Sequence, residues 1–168
     1  TGPNTQDEMN IRIKVGVDKF YNVEKMSNND IASLSRSLEI DIAIDLGGFT
    51  ANNKAEIFAI NPAPIQINYL GYPGTMGADF YDYIIADKII IPEEQKRNYS
   101  ENIIYLPSCY MPQDSSRLIS DKPLTRQDFN LPENGFVFCS FNNSFKITPK
   151  EFVIWMRLLS KIDGSVLW

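Results

Sequence analysis

The residues Asn142-Asn143-Ser144-Phe145-Lys146 put two amides, a hydroxyl and an ammonium on five consecutive positions. They follow a strand pattern at Phe136 to Phe141 and precede a helix start at Thr148-Pro149. A helix start leaves backbone amides unpaired at the positive end of its dipole. Amides, dipole and the charge of Lys146 together suit an anion such as a phosphate or diphosphate. The same residues also suit an ordinary strand-to-helix loop, with Asn and Ser satisfying backbone groups and Lys146 solvated.

A second stretch, Asn61 to Gly77, reads as a rigid entry, a short strand and a glycine-dependent loop. Pro62 and Pro64 stop a preceding helix and hold the chain extended. Ile65, Ile67 and Tyr69 alternate with Gln66 and Asn68, a strand pattern. Tyr72-Pro73-Gly74-Thr75 has the residue order of a type II turn, which would need positive φ at Gly74. Gly71 and Gly77 bracket it, so bare backbone amides there could meet a ligand. The spacing is neither that of a Walker loop nor that of a dinucleotide fingerprint.

Asp45 and Asp87 each end a strand pattern. Each suits a general base or a sugar-hydroxyl acceptor, and each also suits the commoner task of accepting amides from the turn after it. Tyr69, Tyr72, Phe80, Tyr81 and Tyr83 form an aromatic cluster fit for stacking on a ligand or for packing between sheet and helices. Trp155 reads as core. The chain has no histidine, which removes the commonest general base and zinc ligand. Cys109 and Cys139 form neither a metal motif nor a disulfide framework.

The elements that must position these groups alternate along the chain. Thr1 to Asn10 reads as loosely held, and Ile11, Ile13, Val15 and Val17 as a strand. A capping box at Ser27 opens a helix with Ile31, Leu34 and Leu38 on one face. Ile40 to Leu46 is a strand running into Gly47-Gly48, and Asn52 to Ile60 a short helix. After Gly77 come a helical turn at Ala78 to Asp82 and a strand at Tyr83 to Asp87. A helix start follows at Pro92-Glu93-Glu94, then a strand at Ile103 to Leu106. Met111 to Glu133 is a connector with a short helix around Thr125 to Phe129. Phe136 to Phe141 is a buried strand, and Thr148 to Ile162 a helix with Pro149 in its first turn and Glu151 placed for a capping box. Ser165 to Trp168 begins another strand. This order indicates an α/β fold with a mostly parallel, Rossmann-like sheet, whose ligands sit off the carboxyl ends of the strands.

At 168 residues, 43% apolar and 22% charged, the chain is ordinary for a globular protein. A net charge of −5 argues against a nucleic-acid surface. No apolar run reaches membrane-span length and no signal peptide opens the chain, so no membrane partner is expected and cytoplasm is the expected compartment.

Gly48-Phe49-Thr50, Pro62-Ala63-Pro64-Ile65-Gln66, Leu70-Gly71-Tyr72-Pro73-Gly74-Thr75, Tyr83-Ile84-Ile85-Ala86-Asp87, Phe141 to Ile147 and Ser165-Val166-Leu167-Trp168 occur in one order. Together they resemble the O-linked N-acetylglucosamine transferase family, which includes SPINDLY-like proteins and many bacterial proteins with tetratricopeptide repeats. The resemblance covers nearly the whole chain from about Ile11. It implies a metal-independent, two-lobed glycosyltransferase of the GT-B kind with the nucleotide-sugar between lobes. Residues 1–111 are then the later part of the N-terminal lobe, 112–134 a connector, and 135–168 the start of the C-terminal lobe.

Carried over by position, Leu70, Gly71 and Pro73 belong to the loop beside the transferred sugar. Asn143 and Lys146 contact the nucleotide diphosphate, Lys146 stabilising it as it leaves. The resemblance implies UDP-GlcNAc as donor and Ser or Thr of proteins as acceptor, although relatives also use fucose or glucose. A non-catalytic α/β interaction module that kept this scaffold is the alternative. The family's histidine motif is expected upstream of Thr1 and its Gly- and Thr-rich nucleotide segment downstream of Trp168. The chain alone is therefore expected to be an internal fragment with no or negligible transferase activity. Incubation with UDP-GlcNAc and an acceptor peptide is expected to give no turnover, and robust transfer would refute that expectation.

Overall fold

The structure is a computed structural model and describes residues 7–168. The chain forms two compact units, Thr1–Asp114 and Ser115–Trp168, each described by itself.

The first unit opens with helix α1, Glu8–Val15. Here the alternation at Ile11 to Val17 misleads, because a period of two also contains i,i+4 pairs such as Met9/Ile13 and Ile11/Val15. Capping decides between the two. The Asp7 carboxylate accepts the Asn10 amide at 2.8 Å, Glu8 occupies the first turn, and Arg12 and Lys14 occupy the last. No residue of α1 is buried, and Arg12 Nη1 lies 2.5 Å from Asp114 Oδ2. Helix α2, Asn28–Ser37, begins with the expected box. Ser27 Oγ accepts the Asp30 amide at 3.2 Å, and the Asp30 carboxylate accepts the Ser27 amide at 3.3 Å.

Strands β1 (Ile42–Asp45), β2 (Ile65–Tyr69), β3 (Tyr83–Ala86) and β4 (Asn102–Tyr105) form one sheet in that order, all neighbours parallel. Between β1 and β2 lies α3, a single turn at Ala55–Phe58, shorter than the expected Asn52 to Ile60. Its Lys54 N-cap contributes no side-chain bond, and Asn61 at φ 53° turns the chain towards Pro62. No helix separates β2 from β3. The helical turn expected at Ala78 to Asp82 is one hydrogen-bonded turn, Tyr81 N–H to the Ala78 carbonyl at 3.3 Å. The segment opened by Pro92 is a 3-10 helix at Glu93–Asn98.

Register places Asp45, Asn68, Ile84 and Ile103 in one row across the sheet, hence on one face. That face carries the packing. Ala43 and Met76 join Ala32, Ile57, Phe58 and Tyr81 in one cluster, and Ile84, Ala86 and Ile91 form another. Alternation at Ile40 to Leu46 does not say which side is covered. The structure turns Ala43 and Asp45 inward, leaving Ile42 and Ile44 49% and 47% exposed.

The second unit is one βαβ element: β5 (Val137–Phe138), α4 (Pro149–Leu159) and β6 (Val166–Leu167), with β5 and β6 parallel. The pairing is extended by Ser140 N–H to the Trp168 carbonyl at 2.9 Å and Trp168 N–H to the Phe138 carbonyl at 2.8 Å. Trp168 also meets Phe129 and Phe141, each with ring centroids 5.1 Å apart. Gln127–Phe129 is a 3-10 turn, close to the expected short helix. None of residues 115–168 is fully buried. The strand expected to be buried at Phe136 to Phe141 is two half-buried residues, and Trp155, expected in the core, is half-buried. The apolar residues of α4 run nearly all round the helix, a pattern that needs cover on more than one side.

Hydrogen exchange is expected to reflect this. Amides of Ile67, Asn68 and Ile84 to Ala86 should be strongly protected, and those of Val137, Phe138, Val166 and Leu167 weakly. Equal protection in both groups would contradict the burial pattern.

Candidate functional site

At the carboxyl end of β1, Asp45 Oδ1 accepts the amides of Gly47 and Gly48 at 2.9 and 3.1 Å. Its Oδ2 accepts the Tyr81 hydroxyl at 2.5 Å, and the residue is buried. Burial, then this bond to Asp45, pushes the Tyr81 hydroxyl far above its ordinary range. Asp87, after β3, is occupied in the same way. It accepts the Ile89 and Ile90 amides at 2.9 and 2.8 Å and the Tyr110 amide at 2.8 Å. The Ile90 and Tyr110 amides hold its carboxyl below the usual range. Both aspartates therefore cap turns, and neither has a free oxygen for base chemistry.

The loop after β2 differs from expectation. Gly74 is not in the left-handed region, and no hydrogen bond closes Tyr72 to Thr75 as a type II turn. The reversal comes earlier, at Leu70, with φ 75° and the Gly71 N–H donated to the Tyr69 carbonyl at 3.0 Å. This is the strained form of the γ-turn, which ordinary side chains rarely adopt.

The glycines serve close packing between loops. A Cβ on Gly71 would stand 2.4 Å from the Leu46 carbonyl oxygen, and one on Gly48, at φ 52°, 2.5 Å from Tyr72 Cβ. A Cβ on Gly74 would lie 2.8 Å from Tyr72 Cζ, so that ring lies close over this glycine. Phe49 and Tyr72 meet edge to face at 5.5 Å. The Gly71 amide is used within its own turn and the Gly77 amide by Thr75 Oγ1 at 3.0 Å, so the anticipated free amides are engaged.

The loops after β1 and β2 thus form one interlocked surface carrying Leu70, half-buried, with Gly71 and Pro73 exposed. Farther along, the Pro73 carbonyl accepts the Tyr99 hydroxyl at 3.0 Å. Buried Glu101 accepts the Thr75 hydroxyl at 2.7 Å and the Met76 amide at 2.6 Å. Sequence reasoning missed Glu101 and Asn68, both buried polar residues. Asn68 had one signal, a polar side chain at the end of an alternating strand two residues before the loop.

In the second unit, Ser144–Lys146 is a 3-10 turn with Asn143 preceding it. The Asn143 side chain caps no amide, unlike the ordinary-loop alternative, but residues 142–146 are all exposed, and Lys146 is solvated as that alternative expects. Phe141 and Phe145 flank them at 75% and 79% exposure. At the start of α4 the Thr148 hydroxyl donates to the Glu151 carboxylate, which that bond holds below its ordinary range. Thr148 caps no amide, and its bond to Glu151 joins side chain to side chain, so the expected reciprocal capping box is not formed. A carboxylate from the chain itself already lies at this helix end, and Asn143 and Lys146 are among the exposed donors nearby that have no side-chain partner. Among the described residues no group of three His, Cys, Asp or Glu side chains is placed to hold a metal ion.

Comparison with known proteins decides the family. The profile of Glycosyl transferase family 41 matches residues 2–122 and 123–168. The chain belongs to glycosyl transferase family 41. It is 37% identical over 171 residues to the probable UDP-N-acetylglucosamine--peptide N-acetylglucosaminyltransferase SEC of Arabidopsis thaliana, covering 98% of this chain and 17% of that protein. To the corresponding SPINDLY protein of Eustoma exaltatum subsp. russellianum it is 40% identical over 141 residues, 82% of this chain and 15% of the relative. A lysine-to-methionine mutant of the Thermobaculum terrenum O-GlcNAc transferase superposes with a TM-score of 0.84 at 24% identity, over 97% of this chain and 30% of that one. The likeness shows a Rossmann-like α/β fold of the GT-B kind. This family 41 chain spans less than a fifth of the length of these curated relatives.

The interlock gives a direct prediction. Gly71→Ala must push a methyl into the Leu46 carbonyl, and overpacking of this sort costs about 1–3 kcal/mol. Urea unfolding of the first unit should show the midpoint fall. An unchanged midpoint would mean that the two loops are not held together by this contact.

Proposed function

We propose that this chain is part of a nucleotide-sugar-dependent protein O-glycosyltransferase that transfers N-acetylglucosamine, or a related sugar, from a UDP donor to Ser or Thr hydroxyls of proteins. The observation that carries the reading is the family match across residues 2–122 and 123–168, which takes in both candidate loops. Relatives named for UDP-N-acetylglucosamine and peptide support the donor and acceptor classes.

In this reading residues 1–111 are the later part of an N-terminal lobe, 112–134 a connector and 135–168 the start of a C-terminal lobe. Leu70, Gly71 and Pro73 border the transferred sugar. Asn143 and Lys146 take the diphosphate. The acceptor oxygen bonds to the anomeric carbon as the bond from that carbon to the diphosphate oxygen breaks, and the electron pair leaves with UDP. Lys146 offsets the charge that develops on the leaving phosphate, so no metal ion is required for that task. The acceptor proton goes to a group outside this chain, which has no histidine and whose Asp45 and Asp87 carboxylates are occupied. Acceptor selection by associated tetratricopeptide repeats and a cytoplasmic setting complete the proposal. Among the described residues no helix is long and apolar enough to cross a membrane.

Titration of isotope-labelled chain with UDP tests the diphosphate assignment. Resonances of Asn143 to Lys146 should shift, and Lys146→Ala should weaken UDP about tenfold or more, the scale of a lost charge-assisted hydrogen bond. No response to UDP, or full affinity in the variant, would sink the assignment.

A further inference from the structure

Asn68 is wholly buried, at 0% exposure, in the last turn-ward position of β2 before Tyr69. Its Nδ2 donates to the Tyr72 carbonyl at 3.0 Å and to the Gly74 carbonyl at 3.3 Å. One amide therefore holds the chain on both sides of Pro73. Its Oδ1 is buried without a partner and lies against Gly48, 3.2 Å from where a Cβ of that residue would stand. Turning the amide over would point the oxygen at two carbonyls and leave the nitrogen without an acceptor, so the network fixes its orientation.

The segment it holds has no regular structure of its own. Leu70 sits at φ 75°, a conformation that persists only where surrounding contacts impose it. From one side the imposing contact is the Leu46 carbonyl against Gly71. From beneath it is Asn68, the one side chain that bonds carbonyls within Leu70 to Gly74 from the sheet itself. The other side-chain hydrogen bond to a carbonyl of this segment comes from the Tyr99 hydroxyl to Pro73.

We infer that Asn68 is a positioning residue for donor recognition. It sets the height and tilt of the Leu70–Pro73 bend, and so controls how the bend meets the sugar while leaving the nucleotide contacts alone. The inference rests on the proposed donor reading and adds to it a residue that touches no substrate. Asn68→Leu keeps the shape of the side chain and removes the donor.

The test uses the full chain and two probes, UDP and UDP-GlcNAc. In Asn68→Leu the carbonyl carbon resonances of Tyr72 and Gly74 should move while those of β3 and β4 stay. Affinity for UDP-GlcNAc should weaken about tenfold, the scale of unmaking a buried hydrogen bond, with UDP unchanged. A purely structural role would weaken both probes together, and that result overturns the inference. So does an unmoved loop in a chain that binds both probes normally. If the unsubstituted chain binds neither probe, the donor reading itself falls and the role of Asn68 falls with it. Asn68→Ser, too short to reach either carbonyl, gives the same readouts should Asn68→Leu fail to fold.

Discussion

Gly71 lies so near the Leu46 carbonyl that a methyl in place of its hydrogen would stand 2.4 Å from that oxygen. On the neighbouring loop, Gly48 approaches Tyr72 as tightly. Two turns leaving adjacent parallel strands are thereby brought into contact, backbone against backbone at Gly71 and backbone against the Tyr72 side chain at Gly48. This approach, together with the Asp45 cap that shapes the first turn, drives the chain into its reversal at Leu70. The loops after β1 and β2 take their relative placement from that contact.

The buried polar residues follow from the same geometry. Gln66 and Asn68 face the covered side of the sheet, where a crossing loop brings carbonyls that need donors. Gln66 Nε2 reaches the Phe80 carbonyl at 2.5 Å, and Asn68 reaches Tyr72 and Gly74. Burying an amide is unfavourable unless it is bonded, so these side chains fix the loop while the loop satisfies their NH2 groups; Gln66 Oε1 and Asn68 Oδ1 stay buried without a partner. Asp87 and Glu101 do likewise at other turns. The buried carboxylates of this unit, Asp45, Asp87 and Glu101, are structural, and the chemistry assigned to the chain is one of binding and charge stabilisation.

The two units differ in how they are held. The first has two clusters of buried side chains on one face of a four-stranded sheet. The second has a two-stranded parallel pair and one helix, with no residue fully buried. Apolar burial is the main favourable term available to offset chain entropy, and the second unit supplies little of it. The loop bearing Asn143 and Lys146 therefore rests on a less well-anchored support than the loop bearing Leu70 and Gly71.

Sequence alone determined the elements whose signals are local. The strand at Ile65 to Tyr69, the box at Ser27, the proline-led helix at Pro149 and the amide-accepting role of Asp45 all depend on residues within a few positions. The α/β class and the family were legible too, because alternating elements and several multi-residue motifs survive in order. What tertiary structure decided was what depends on distant partners. Alternation at Ile11 to Val17 suits helix and strand alike, and the caps settled it. Tyr72 to Thr75 has turn composition, yet the bend moved to Leu70, where the Leu46 carbonyl, far back in the chain, leaves room at the adjacent Gly71 only for a bare Cα. Alternation fixes two faces of a strand but not which is covered, so the inward placement of Asn68 became visible only once the loop lay across it.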